Sequence, residues 1–452
     1  MQVRTALQNN ILIPVNKKQR ERYKTASELI AADRGGFVYQ PVIGLHRDVA
    51  ELDFFSMYPS IMAKWNISPE TVGVEGNKTL RVPGLNRPIS QDIKGVVASI
   101  LEPVLEKRRR AKASLAAGVG DAEDAKYLDV TADTLKGLGW VSFGYQGFSG
   151  NRIGSIEAHE SITAISRELT LRAKEAAEEW GFLVLHMYVD CLFISTPGKR
   201  APKDFQPLLT EIGKRAEIPI ELEGIFNWIA FLPSKESASV PVPNCYFGVF
   251  QDGELKCRGI MARKHDTPLF IQQTQLDAIH IFAREPNFDN LRRHIPKVIY
   301  FLRSKYSELI SGQVPFEKLK IAQRLSRDLD DYRVFSATAR AGLLLTANQK
   351  QTGAGHTIEY LRVKGSPDVL PWDLSADKEI HLDLDWYGEL FFRAAHEILQ
   401  PFGVEKKTLI DWIVSQAGYF RPEDYVNAAP KDLPLFEAMW EVSKGPLNSS
   451  GS

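Results

Sequence analysis

Two acids, Asp53 in VAELDFFS and Asp190 in FLVLHMYVDCLFIST, stand in largely apolar segments that read as strands. Burying an unpaired carboxylate is costly or forces its neutralisation, so each acid needs a partner. A divalent cation is one partner: magnesium takes one or two protein carboxylates and completes its shell with substrate phosphates. Two acids on adjacent strands could therefore support phosphoryl transfer. The plainer alternative puts each acid at a strand end, bonded to backbone or paired with an arginine.

Two groups of cations accompany them. Arg108 and Lys112 lie one helical turn apart and Lys136 falls on the next helix, a row able to grip a polyphosphate, although a basic helix is more often a solvated face. Lys256, Arg258, Arg263 and Lys264, with Gly259 among them, crowd a strand end where they could follow a nucleic-acid backbone. Lysines that protect a strand edge are the competing explanation.

The elements that must hold these groups follow from pattern. A strand near 49–56 runs into a helix at MYPSIMAKW, with Pro59 breaking the strand. A Gly-, Pro- and Asn-rich loop is expected over 72–95 and a helix over 96–117, ending at Gly118 and Gly120. A return helix over 122–138 makes an antiparallel hairpin, and GYQGFSGNRIGS reads as a Gly-rich turn. A helix over 156–180 leads to the strand carrying Asp190, and a strand pair follows at 244–249 and 254–260. Beyond 267 the pattern is mostly helical to 445, broken by GAGHTIEYLRVKG and by residues 368–389, whose seven acids against one lysine disfavour phosphate.

Composition narrows the class. With 44% apolar and 25% charged residues, the 452-residue chain is folded and large enough for two or three domains. Lys plus Arg equals Asp plus Glu at 56 each, so net charge does not itself point to nucleic acid. Three cysteines without a CxxC pair exclude a disulfide framework and a zinc cluster, and fit a reducing compartment. No apolar run suffices for a membrane span.

Taken in order, these segments resemble the polymerase half of family B DNA polymerases. ELDFFSMYPSIMAKWNISPET is similar to the first palm motif, VLEKRRRAK to the first fingers helix, and LKGLGWVSFGYQGF to the second fingers motif. EAHESITAISREL, CYFGVF and KCRGI resemble the segments that follow, and VPFEKLKIAQRLSRDL with GHTIEYLRVKG resembles the thumb. The resemblance implies Asp53 and Asp190 as catalytic metal ligands, with Glu223 (or Glu221) as a further palm carboxylate. It implies Tyr58 as the sugar gate, Phe143 beside the nascent pair, and Arg108, Lys112 and Lys136 on the triphosphate. Gly144, Tyr246, Lys256, Arg258, Gly259, Arg263 and Lys264 would contact DNA. The chain departs from the pattern at Trp140 and Val141, at Phe143 in place of a tyrosine, and at Tyr188 in place of the first acid of the third motif.

The fold so implied is α+β, a right hand with an antiparallel-sheet palm, a two-helix fingers and a mainly helical thumb. Its expected parts are a lead-in at 1–37, palm at 38–94, fingers at 95–144, palm at 145–266, thumb at 267–445, and a disordered tail or vector-derived scar at 446–452. The implied activity is template-directed DNA synthesis with two Mg²⁺ ions, Mn²⁺ as a substitute, on primer-template DNA and deoxynucleoside triphosphates, of low fidelity or in repair. Only 52 residues precede Asp53, so proofreading is expected to fall to a separate exonuclease, with an N-terminal subunit or a clamp as further partners. A cytoplasmic, nucleoid-associated prokaryotic location and no membrane contact are expected. The alternative is a catalytically weakened or inactive module that binds primer-template DNA or a partner polymerase.

Overall fold

The computed structural model describes residues 1–13, 15, 23–32, 34–376 and 378–414. Part of the lead-in, including residues 16–22, the tail at 446–452 and the last thirty-odd residues expected in the thumb lie outside the described residues. The fold is mixed helix and strand, and the chain forms two compact units, residues 1–40 with 50–225 and residues 41–49 with 226–452.

The first unit opens with two short helices, α1 (Gln2–Gln8) and α2 (Ala26–Ala32), and a two-residue strand β1 (Val38–Tyr39). Strand β2 (Gly44–Phe54) supplies its last five residues here, and α3 (Met57–Lys64) follows directly. Residues 72–95 contain a small hairpin, β3 (Thr79–Arg81) with β4 (Pro88–Ser90), where only loop was expected. Its strands are too short to show alternation in sequence, and pairing supplies their order.

Helix α4 (Val96–Ala116) buries Val97, Ile100, Leu101, Val104 and Leu105, the stripe its sequence spacing calls for. Helix α5 (Ala122–Gly147) begins at a reciprocal cap between Asp121 and Asp124. It then runs nine residues past the expected end at 138, so GYQG is helical and not a turn. Glycine weakens a helix by only about 1 kcal/mol per residue, which the packing of α5 on α3, α4 and α6 overrides. Helix α6 (Ile156–Glu179) starts from the Ser155 cap and ends before Gly181, at φ +76°.

The segment read as one strand is two, β5 (Leu183–Tyr188) and β6 (Cys191–Ser195), paired antiparallel with Tyr188 opposite Cys191. An apolar run long enough for two strands conceals its turn when the turn lacks glycine. Helix α7 (Pro202–Ala216) leads to β7 (Ile220–Pro233), a strand that was not anticipated. The sheet order is β1–β5–β6–β2, and Leu52, Phe54, Ile61, Ile165, Val184 and Phe205 fill the core beneath it.

The second unit carries the rest of β7, paired with β8 (Pro241–Phe250), which pairs in turn with β9 (Leu255–Arg258). Helices α8 (Leu269–Ala283) and α9 (Ile295–Ile310) precede a small antiparallel sheet of β10 (Ile321–Arg324), β11 (Thr357–Arg362) and β12 (Val369–Pro371), with α10 (Ala337–Ala347) inserted between the first two. Helices α11 (Leu384–Leu399) and α12 (Lys406–Val414) close the described chain. Trp228, Phe247, Phe282, Tyr387, Phe391 and Phe402 form the main core. Among the described residues no helix is long and apolar enough to cross a membrane.

Candidate active site

The two acids that stand 137 residues apart meet in the first unit. Asp53 is the penultimate residue of β2. Asp190 occupies the two-residue turn of the β5–β6 hairpin, and the Phe54 N–H donates to its carbonyl at 3.0 Å. The turn is held open from both sides. Val189, at φ +59°, adopts a left-handed backbone that β-branched residues avoid. Its N–H donates to Phe37 O at 2.9 Å, and its carbonyl accepts from Thr170 Oγ1 at 3.0 Å. Strain of this kind persists only where the surroundings over-determine it.

Burial pushes the Asp53 carboxyl up to about 8, and the neighbouring charges of Asp190, Glu223 and Glu51 push the same way against Lys136. Asp190 is raised as well, by burial, while its own backbone N–H and Lys136 oppose the rise. Carboxylates driven toward protonation by burial and mutual repulsion form a setting that a divalent cation relieves. The donor set fits a hard cation: all oxygen, with no thiolate or imidazole. Among the described residues no three His, Cys, Asp or Glu side chains form a metal set on their own. Water and phosphate oxygens would complete the shell, as is usual for magnesium.

Glu51 was missed at the level of sequence. It is 4% exposed, and as the residue two before Asp53 in ELD it points to the same face of β2. That i, i+2 alternation was the available signal.

The cations divide. The Arg108 guanidinium is buried and turned inward, donating from Nη1 to Ser56 Oγ at 2.7 Å and from Nε to the Ala132 carbonyl at 3.3 Å, with Phe55 beneath it at 4.9 Å. Ser56 takes part because its left-handed φ of +46° carries the chain from β2 into α3. Lys112 pairs with Glu221 Oε2 at 2.6 Å. Lys136, exposed on α5, lies over the Trp140 ring at 5.4 Å and is the cation whose charge acts on both Asp53 and Asp190.

An aromatic ladder stands beside the acids. Tyr58 packs on Phe143 at 4.3 Å between centroids, and Phe143 stacks on His159 at 4.3 Å and 22°. Burial and then the charge of Asp190 hold the Tyr58 phenol above its ordinary range. His159, another residue not singled out in sequence, has its buried Nδ1 without a hydrogen-bond partner among the described residues. Gly144 is exposed on α5, and an added Cβ there would meet nothing within 4 Å.

The remaining candidates belong to the second unit. Tyr246 sits opposite Arg258 in the β8–β9 pair, with its ring 3% exposed and edge-on to Phe231. Lys256 lies over Phe250 at 5.7 Å. Gly259, at φ +67°, turns the chain into the short helical turn Met261–Arg263, and Lys264 follows it.

Comparison with known proteins supplies a context for this arrangement. Residues 3–400 match the family model described as DNA polymerase family B. The DNA polymerase of Thermococcus gorgonarius is 28% identical over 424 residues, covering 90% of this chain and 52% of that protein. The DNA polymerase of Archaeoglobus fulgidus is 29% identical over 371 residues, covering 81% and 45%. The structure of the family B DNA polymerase from the hyperthermophilic archaeon Pyrobaculum calidifontis aligns with a TM-score of 0.60 at 25% identity, covering 90% of this chain and 50% of that one. The chain thus spans about half the length of the curated relatives it matches.

Proposed function

The chain belongs to DNA polymerase family B, and from that premise we propose that it extends a DNA primer on a template by adding deoxynucleotides. The meeting of Asp53 and Asp190 at the end of β2 and in the β5–β6 turn carries this reading. Asp53 and Asp190 would hold magnesium, with manganese as a substitute, and Glu223 would add charge beside them. Bound there, the metal supplies activation of the primer 3′-hydroxyl and neutralisation of the leaving pyrophosphate.

Lys136, exposed and already within electrostatic reach of both acids, would meet the triphosphate first. Arg108 and Lys112 would join it by exchanging their present partners, Ser56 and Glu221, for phosphate oxygens. Tyr58, braced by Phe143, would lie under the incoming sugar and reject a 2′-hydroxyl. In the second unit Tyr246, Lys256, Arg258, Gly259, Arg263 and Lys264 would contact the primer-template duplex, the cations through its phosphates; in the first unit Gly144 would contact DNA.

One observation favours a second reading, a weakened module that binds primer-template DNA. Tyr188 stands two residues before Asp190, just ahead of the turn, where the resemblance calls for another acid. Extension of a labelled primer by the full chain, with magnesium or manganese, separates the two. Extension that disappears in both Asp53→Asn and Asp190→Asn while duplex affinity is retained is the expected result. Survival of activity in either variant removes that carboxylate from the chemistry, and no extension by the parent selects the binding module.

A further inference from the structure

The second unit contains a recess of about 730 Å³ walled by the end of β7, the start of β8, the segment between them and the side of α11. Its volume falls within the roughly 300–1,000 Å³ of small-molecule sites. Lys235 enters from the connecting segment, Lys264 from the turn after β9 and Arg393 from α11. Three separate stretches of chain thus deliver a cation to one cavity.

These cations crowd one another. The Lys235 ammonium is pulled below its ordinary range by burial first and by Lys264 next, with Arg393 adding to the effect and Glu397 opposing it. Among the described residues none of the three forms an ion pair. Glu397 is already engaged, its Oε2 accepting from the Met261 N–H and from Gln275 Nε2, each at 2.8 Å. Two carboxylates, Glu236 and Glu397, also line the recess and offset part of this charge, and a bound anion would relieve the repulsion that remains among the three cations.

We propose that this recess is a binding site for a phosphate group, gripped by Lys235, Lys264 and Arg393. A tetrahedral phosphate offers several acceptor oxygens and up to two or more charges, enough for two point-charge lysines and an arginine fork. A single carboxylate would leave part of that charge unanswered. The phosphate can come from a free anion or from a nucleic-acid backbone. The site does not use the carboxylates of the first unit; because Lys264 is shared with the proposed duplex contacts, a backbone phosphate here rests on the polymerase reading, whereas a free anion goes beyond it.

The probe is inorganic pyrophosphate, titrated calorimetrically into the full chain in EDTA at constant ionic strength. Chelation removes any binding that depends on metal at Asp53 and Asp190. Saturable binding is expected in the parent and in Asp53→Asn, weakened at least tenfold in Lys235→Gln and in Arg393→Gln. Unchanged circular dichroism verifies that the variants fold. Displacement of labelled pyrophosphate by a short duplex assigns the site to a backbone phosphate, and failure to displace assigns it to a free anion. Absence of saturable binding, or equal affinity in the parent and both variants, overturns the proposal.

Discussion

Arg108 and Lys136 are indistinguishable as sequence symbols of positive charge, yet they do different work. Arg108 spends its guanidinium on Ser56 and the Ala132 carbonyl inside the protein. Removing it would take away both hydrogen bonds and the packing on Phe55, so Arg108→Ala should destabilise the first unit by roughly 1–3 kcal/mol, read by denaturant titration. Lys136 is exposed and makes no hydrogen bond among the described residues. Lys136→Ala should change stability by less than about 0.5 kcal/mol while raising the KM for nucleotide at least tenfold. An unchanged KM removes Lys136 from the triphosphate. Spacing in the sequence made both residues candidates, and burial, which spacing does not encode, separates them.

The glycines of α5 show the same division at the level of the element. Read locally, GYQGF is punctuation; in the fold it is the last stretch of a 26-residue helix. Gly139 faces Pro59 of α3, where an added Cβ would lie 2.6 Å from Pro59 Cγ, whereas Gly144 faces open space. Alanine at a free helical glycine should gain about 0.5–1 kcal/mol, and alanine against a fixed ring should lose about 1–3 kcal/mol. Thermal unfolding of Gly144→Ala and Gly139→Ala should therefore shift in opposite directions; equal gains would mean that α5 does not rest on α3. The helix was legible as a return after the break at Gly118 and Gly120, but its Asp121 cap and its length came only with the structure. The Asp190 hairpin is similar. Its turn lacks glycine, and Val189 is held left-handed by Phe37 and Thr170, residues distant in sequence.

Across the whole molecule, each unit buries a histidine in its neutral form. His46 in the second unit uses Nε2 to donate to the Val42 carbonyl at 2.7 Å and leaves Nδ1 buried without a partner among the described residues, and burial holds it down to about 4. His186 in the first unit is also held at about 4, by burial, with Nδ1 donating to the Tyr39 carbonyl. The unfolded chain binds these protons near 6.5 and the folded chain only near 4. Their contribution is therefore complete above pH 6.5 and is lost as pH falls toward 4, by at most about 3 kcal/mol for each histidine. The parent should lose stability over that window relative to His46→Gln; parallel pH profiles would show that His46 does not remain neutral.

The sequence by itself determined the family, the α+β class and the chemistry-bearing residue types, because motif order and apolar periodicity are written along the chain. It also determined the helical hairpin that carries the cations. Only the tertiary structure decided that Asp190 lies in a turn against the end of β2, that Glu51 joins Glu223 in the charge around Asp53, that Arg108 faces inward, and that Lys235, Lys264 and Arg393 share one recess. The physical reason is range. Local pattern reports which face of an element is buried, whereas electrostatic coupling and desolvation depend on which distant segments are folded against it.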